Sequence, residues 1–342
     1  MKNVLVYSLA LVIATAPLLI IPACSKSSDS SSDLVGNWAI SDYFDGNARS
    51  EAVAFTINDT VFVGTGITAT KRLADFWKYS LDKRYWTQIA DFGGGTRSQA
   101  VAFSVNNKGY VGTGLDVDQN YKKDMWEFDP AKNSWTAKKD FGGTARRDAV
   151  AFIANGNAYI ATGYDDNYLK DVWQYNAGSD TWSQKAGIQG AKRAEAATFT
   201  VGGKVYLFSG NNNSSAINDL QVYEPVGDTW TTLRKLTNLS DESYDDKYTS
   251  IIRYNAVAFA MGGKGYVTTG ENGSMNSRTW EYNPGDDTWT EKTAFSGAAR
   301  TGAIGVTLKD RGFVFLGRSG TNPFDNMYEF QPSIEDNDDD NQ

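Results

Sequence analysis

The segment ARSEAVAF at residues 48–55 returns almost unchanged as TRSQAVAF at 96–103 and as ARRDAVAF at 145–152. Three weaker copies keep the same order of residue types: KRAEAATF at 192–199, IRYNAVAF at 252–259 and ARTGAIGV at 299–306. A sequence that restates one segment at intervals of about fifty residues is typical of a fold built from repeated structural units. We therefore interpret the chain as six copies of one unit.

Several positions recur in every copy. Each copy opens on an arginine: Arg49, Arg97, Arg146, Arg193, Arg253 and Arg300. An alanine always stands three residues after the arginine, and a glycine always stands seventeen residues after it. The segments between them are short, β-branched and aromatic, and turn residues such as Asn106 and Asn107 separate them, which predicts four strands per copy. Four strands in a repeat of this length indicate a blade of a β-propeller.

The sequence therefore predicts an all-β fold, a six-bladed β-propeller over residues 34–332, whose inner strands start near the six arginines. Neighbouring blades converge on the central axis, so we expect only small side chains such as alanine on the inner strands. The sixth copy ends before its fourth-strand tryptophan, but Trp38 precedes Arg49 by the same interval as Trp86 precedes Arg97. We expect residues 34–44 to complete the last blade and to close the ring.

The motifs inside the copies resemble those of the kelch repeat. An arginine opens the first strand, YVGTG (110–114) ends the second, DMWEFDP (124–130) forms the third, and a tryptophan marks the fourth. The resemblance implies a kelch propeller of the galactose oxidase-like superfamily. Galactose oxidase itself is similar only in the repeat, because its copper site needs histidines and this chain has none.

Charge and composition exclude further classes of function. The formal net charge is −8 and no long basic stretch is present, so we expect no nucleic-acid partner. The chain contains no histidine, and Cys24 is its only cysteine. This excludes disulfides within the chain, ordinary zinc or copper sites and a histidine general base. We expect a monomer without metal or cofactor.

The N-terminal segment predicts export. In residues 1–23, Lys2 precedes a long apolar run and Ala23 precedes Cys24, which is the pattern of a secretory signal. A cysteine at this point resembles a bacterial lipoprotein signal, which implies lipidation of Cys24. An uncleaved transmembrane anchor is the alternative, since the apolar run is just long enough to span a bilayer. Both place the folded part outside the cytoplasm, and the lipoprotein signal implies anchoring at the outer membrane.

Two polar segments flank the predicted propeller. Residues 24–33 are rich in serine, which predicts a flexible tether. Residues 333–342 are acidic, which predicts a disordered tail.

The candidate binding face carries the loops between second and third strands and those that join the blades. These loops hold the most varied residues, in segments 115–123, 164–170, 211–218, 271–277 and the long connection 237–252. The six arginines start at this face and are candidate ligand-binding residues, which would form a cationic mouth of the central channel and bind a carboxylate or sulfate. The interpretation that the repeat favours for any one of them is structural: residues present in every copy usually serve packing, and these arginines would pair with Glu51, Asp148 and Glu195, two residues further along their strands.

Other polar positions have weaker patterns. Tyr121, Tyr168 and Tyr244 on the loops are candidates for stacking on sugar rings. An aspartate starts the third strand in four copies, and we interpret it as a turn cap: Asp75, Asp124, Asp171 and Asp219.

These features favour an exported, lipid-anchored propeller that binds a glycan or an envelope protein through the loop face. The alternative is an enzyme that resembles sialic-acid mutarotase, a six-bladed kelch isomerase of the cell envelope. Such an enzyme needs an acid–base pair and an anion clamp, which Glu51, Asp148 or Glu195 beside arginines would offer. A third possibility is a structural subunit of an envelope complex, whose channel mouth would be inert.

Overall fold

The computed structural model describes residue 1, residues 34–337 and residue 339. The chain divides into two units, Met1–Asp33 and Leu34–Gln342, and the fold described here is that of the second. The predicted signal segment after Met1, the lipidation site Cys24 and the whole tether lie outside the described residues.

Six four-stranded antiparallel sheets make up the described fold, each ordered from the axis outward. In blades 1 and 2 the strands are Val53–Ile57, Thr60–Gly64, Phe76–Ser80, Tyr85–Ile89 and Val101–Val105, Lys108–Gly112, Met125–Asp129, Ser134–Lys138. In blades 3 and 4 they are Val150–Ala154, Asn157–Ala161, Val172–Asn176, Thr181–Lys185 and Ala197–Val201, Lys204–Phe208, Leu220–Glu224, Thr229–Thr232. In blades 5 and 6 they are Val257–Met261, Lys264–Thr268, Thr279–Asn283, Thr288–Lys292 and Ile304–Leu308, Arg311–Phe315, Asn326–Gln331, Asn37–Tyr43.

Short elements decorate the loops on one face. Four two-residue ladders pair Arg97–Ser98 with Leu115–Asp116, Asn211–Asn212 with Ser215–Ala216, Glu271–Asn272 with Ser274–Met275, and Arg318–Ser319 with Asn322–Pro323. A single turn of 3₁₀ helix, Ser243–Asp245, lies in the long connection before blade 5. The described residues thus form the predicted six-bladed all-β propeller.

The first strand closes the ring, as the position of Trp38 predicted. Asn37–Tyr43 pairs antiparallel with Asn326–Gln331, and Trp38 lies opposite Phe330. The Trp38 ring is fully buried and stacks on Phe330 at 4.6 Å between ring centroids. Part of the tail that the sequence predicted to be disordered also bonds to the residue just before this strand, since the Gly36 amide donates to the Ile334 carbonyl at 2.9 Å.

The alanine and the glycine that recur in every copy lie against each other, and this close contact explains why both residues are small. Gly66 has φ +89°, and a Cβ at this residue would lie 2.9 Å from the Ala52 Cβ. The equivalent glycine in blade 2, Gly114, has the same φ and would place a Cβ 2.9 Å from Ala100. Larger side chains at either position would collide, and positive φ favours glycine. The pair therefore sets how closely the end of the second strand approaches the inner strand.

Candidate functional site

The six repeat arginines are buried, with 0% of each residue exposed to solvent. In blades 1 to 4 the guanidinium forms a two-pronged ion pair with the aspartate that starts the third strand of the same blade. In blade 3, Arg146 NH1 and NH2 donate to the two carboxylate oxygens of Asp171 at 2.7 and 2.8 Å. Arg146 also donates to the Thr162 carbonyl at 2.8 Å. Each arginine thus ties the blade entry to its second and third strands.

Burial corrects two expectations from the sequence. Arg49, Arg97, Arg146, Arg193, Arg253 and Arg300 do not form a cationic mouth, because none of them reaches solvent. Nor do they pair with Glu51, Asp148 and Glu195. Their partners in blades 1 to 4 are the aspartates interpreted as turn caps: Asp75, Asp124, Asp171 and Asp219.

Blades 5 and 6 lack this aspartate. Arg253 instead donates to backbone carbonyls, among them Thr269 at 3.1 Å and Arg278 at 2.9 Å, and burial lowers its pKa to about 9. Arg300 donates from NH1 to Asn326 Oδ1 at 2.8 Å, while its NH2 has no acceptor among the described residues. Burial lowers the pKa of Arg300 to about 10.

We expect Asn326→Asp to stabilise the protein. The change replaces the amide nitrogen with a second carboxylate oxygen, which gives the unpaired NH2 of Arg300 the acceptor that it has in blades 1 to 4. A buried donor without an acceptor costs about 1–3 kcal/mol, so the gain in the free energy of unfolding should approach that range. Urea denaturation of both proteins measures it. Asn326→Ala is the matched control and should be less stable than the wild type; an unchanged or lower stability of Asn326→Asp would contradict the expectation.

The axial opening is lined by the residues two places after each arginine, and we call this opening the mouth. These residues are Glu51, Gln99, Asp148, Glu195, Asn255 and Gly302. All six have left-handed backbone, with φ between 50° and 61°. Five backbone hydrogen bonds of 2.8–3.1 Å join neighbouring members, starting with the Glu51 amide on the Gly302 carbonyl and ending with the Asn255 amide on the Glu195 carbonyl. The mouth is therefore a rigid backbone ring with a volume of ≈190 Å³.

Each carboxylate in the mouth has a polar partner. Asp148 accepts from Gln99 Nε2 at 3.0 Å and from the guanidinium of Arg147. Glu195 accepts from Asn211 Nδ2 at 2.8 Å. Glu51 accepts from Arg318 NH2 at 2.9 Å. The mouth thus carries both donors and acceptors, with the Asp148 and Glu195 carboxyl groups on neighbouring blades.

Two of these carboxyl groups titrate abnormally. Burial raises the pKa of Asp148 to about 8, and the nearby Glu195 carboxylate adds to the effect, while Arg147 opposes it. Burial also raises the pKa of Glu195, against the hydrogen bond from Asn211. Loss of water around a carboxylate disfavours its charged form. At neutral pH, Asp148 therefore holds a proton that an exposed aspartate would have released.

The channel below the mouth has a volume of ≈500 Å³. Alanine, threonine, serine and glycine from the inner strands form most of its wall. Its hydroxyl groups donate to carbonyls of adjacent blades, as from Ser104 to Thr56 at 2.7 Å and from Thr307 to Ala260 at 2.7 Å. The channel wall therefore presents few free polar groups to a ligand. The mouth, in contrast, carries charged and amide side chains.

The predicted tyrosines lie in different settings. Tyr121 donates from its hydroxyl to Asp166 at 3.1 Å, and its ring lies edge-on to Tyr164 at 6.3 Å. Tyr164 in turn lies 5.1 Å from Tyr168. Tyr244 lies apart from this cluster, with its ring under the guanidinium of Arg234 at 4.2 Å.

The long connection 237–252 packs between the loops of blades 4 and 5. At its start, Asn218 Nδ2 donates to Thr237 at 2.6 Å, and at its end Asn276 Nδ2 donates to the Ser250 carbonyl at 3.2 Å. Tyr248 and Ile251 within it are buried. This connection therefore fills a gap outside the mouth.

Sequence reasoning missed several residues of the mouth. Gln99 and Asn255 occupy the same repeat position as Glu51, so the repeat alignment itself was the available signal. Arg147 and Arg318 carried no signal, because neither position is an arginine in the other copies.

The described residues contain neither a metal-binding cluster nor a membrane-spanning helix. In this part of the chain no group of three or more cysteine or acidic side chains is placed to hold a metal ion. Among the same residues, no helix has the length and apolarity needed to cross a bilayer.

A ring of six four-stranded blades around a polar axial opening defines the class of protein as a six-bladed β-propeller. Residues 42–192 match the family described as KLHDC2/KLHL20/DRC7 Kelch-repeats domain, and residues 192–237 match the Kelch motif. Kelch-repeat families therefore match residues 42–237 of a chain that folds as a six-bladed β-propeller.

Among solved structures, one titled "Structure of YjhT" matches with a TM-score of 0.70 and 15% sequence identity, over 84% of this chain and 95% of that chain. At this identity the likeness shows the fold alone. No curated protein matches the sequence.

Proposed function

We propose that the chain is an exported, lipid-anchored binding module of the cell envelope that holds a glycan, or a polar segment of a surface protein, in the mouth. The lipoprotein-like signal before Cys24 supports export and anchoring. One observation carries the binding proposal. The six mouth positions share the same left-handed backbone conformation, yet they carry different polar side chains.

Left-handed backbone costs about 1–2 kcal/mol for a residue with a Cβ. Glycine avoids that cost, and blade 6 has Gly302 at this position with φ 61°. The other five blades keep three carboxylates and two amides there instead. Retained strain at converging polar side chains is typical of binding and catalytic sites. We infer that these side chains serve a ligand.

The charges of the mouth change the class of ligand expected from the sequence. Glu51, Asp148 and Glu195 line the opening, and the two guanidinium groups of Arg147 and Arg318 already bond to carboxyl groups of the mouth. An anionic ligand would meet three carboxyl groups without a free arginine. A neutral ligand with many hydroxyl groups fits better, because paired donors and acceptors can exchange partners with it.

Binding can be tested on the full chain in detergent by thermal shift, with neutral sugars, sialic acid, uronic acids and short peptides as probes. A ligand at 100 times its dissociation constant adds about 2.7 kcal/mol of stability. We expect neutral sugars to raise the melting temperature of the wild type and of Asp82→Asn, which alters an exposed aspartate in a turn away from the mouth. Asp148→Asn should weaken the response. No response to any probe, or an equal response in Asp148→Asn, would contradict binding in the mouth.

A second candidate function is isomerisation of a reducing sugar, which the raised pKa of Asp148 favours. A protonated Asp148 beside the Glu195 carboxylate is an acid–base pair. Opening of a cyclic sugar needs a base that takes the anomeric hydroxyl proton and an acid that protonates the ring oxygen as its bond to the anomeric carbon breaks. NMR measurement of anomer exchange, with Asp148→Asn as the inactive variant, separates this activity from binding alone.

A further inference from the structure

A second cavity on the loop face, which we call the groove, lies between the second-to-third-strand loops of blades 3 and 4. It has a volume of ≈420 Å³. Its walls are Tyr164, Asp166, Asn167 and Tyr168 on one side and Lys192, Asn212, Asn213 and Ser214 on the other.

The groove adjoins the mouth on both sides. On the blade 3 side, Arg147 pairs with Asp148 in the mouth, and its guanidinium stacks on the ring of Tyr164 in the groove at 4.9 Å. On the blade 4 side, Asn211 bonds to Glu195 in the mouth, and the next residue, Asn212, lines the groove. Arg147 and Asn211 therefore connect the linings of the two cavities, and one extended ligand would pass over them to reach both.

The chemistry of the groove is that of a surface for a neutral, hydroxyl-rich ring. Tyr164 and Tyr168 are half-buried, and each presents an apolar ring with a polar tip. Within the described residues, the side-chain amides of Asn167 and Asn213 make no hydrogen bond, and the Lys192 ammonium makes no ion pair. One acidic and one basic side chain, Asp166 and Lys192, leave the lining without a net charge.

Cavity size supports a ligand longer than one unit. Small-molecule sites have volumes of roughly 300–1,000 Å³. The mouth, at ≈190 Å³, is below this range, whereas the groove, at ≈420 Å³, is within it. A ligand confined to the mouth would make no contact with Tyr164 and Tyr168 in the groove.

We propose that the groove is a second binding subsite, contiguous with the mouth, and that the two together hold consecutive units of a neutral oligosaccharide. This inference rests on the proposed binding function of the mouth. One sugar unit enters the mouth, and the next lies against Tyr164 and Tyr168 with its hydroxyl groups near Asn167, Asn213 and Lys192.

Calorimetric titration of the full chain in detergent tests this subsite. The probes are glucose, mannose, xylose and N-acetylglucosamine, each alone and as its β-1,4-linked trisaccharide. For at least one series we expect the trisaccharide to bind about tenfold or more tightly than the single sugar, a difference of about 1.4 kcal/mol. Tyr168→Ala and Asn213→Ala should remove most of this gain and leave the affinity for the single sugar unchanged.

The matched control is Tyr85→Ala, which removes an exposed tyrosine at the start of the blade 1 outer strand and should leave the gain intact. Equal affinity for single sugar and trisaccharide in the wild type would overturn the subsite while the mouth remained a binding site. A trisaccharide gain that survives both groove variants would also overturn it. If no sugar of either length binds, both the subsite and glycan binding by the mouth fail.

Discussion

Asp219→Ala is expected to lower the free energy of unfolding by about 3–5 kcal/mol, the usual cost of removing one partner from a buried ion pair. Arg193 is fully buried, and its NH1 and NH2 groups donate to the two oxygens of Asp219 at 2.5 and 2.8 Å. Only 9% of the Asp219 side chain is exposed. Alanine would leave the guanidinium charge without a counter-ion in a place that water cannot reach.

Urea denaturation followed by tryptophan fluorescence measures this loss. Asp82→Ala is the matched control, because 74% of the Asp82 side chain is exposed and an exposed pair contributes only about 0–1 kcal/mol. Asp219→Asn should fall between the wild type and Asp219→Ala, since one acceptor remains. If Asp219→Ala unfolds at the same urea concentration as Asp82→Ala, the ion pair does not stabilise the blade.

The repeat made the fold predictable from the sequence. Turn pairs such as Asn58 and Asp59 have positive φ, as tight hairpins need, and the position of Trp38 predicted the closing strand. Each of these signals depends on residues that are close along the chain or that recur at a fixed spacing. A propeller has little long-range topology beyond its closure, so local signals define most of it.

The site was less predictable for a physical reason. The direction in which Arg146 points depends on Asp171 across the blade, 25 residues away, and the sequence offered Asp148 as a nearer partner. Asp171 was available as a signal, because an aspartate stands at that position in blades 1 to 4. The pairing could have been inferred from the repeat, but the burial of the arginines could not. The arrangement of Arg147, Tyr164 and Asn211 depends on non-repeating loops, which only the structure describes.

The titration of Asp148 gives the second large effect, a loss of stability as the pH rises. The pKa of this carboxyl is raised from 3.8 to about 8, first by burial and then by Glu195. Between these two values the folded protein retains a proton that the unfolded chain has released. The unfolded state therefore binds fewer protons, and stability falls with pH by up to about 1.4 kcal/mol per unit. Below pH 3.8 and above pH 8, Asp148 adds no slope.

Urea denaturation of the wild type and of Asp148→Asn between pH 5 and 9 isolates this contribution. Asparagine cannot ionise, so the wild type should lose stability relative to Asp148→Asn from pH 5 to 8, and the difference should level off above pH 8. The shape of the difference matters more than its absolute value, because the amide also changes the contact with Arg147. Glu195, whose pKa is raised as well, contributes to both proteins and largely cancels. Parallel profiles would mean that Asp148 is ionised in the folded protein, and the pair with Arg147 would then be an ordinary ion pair with no proton to donate to a sugar.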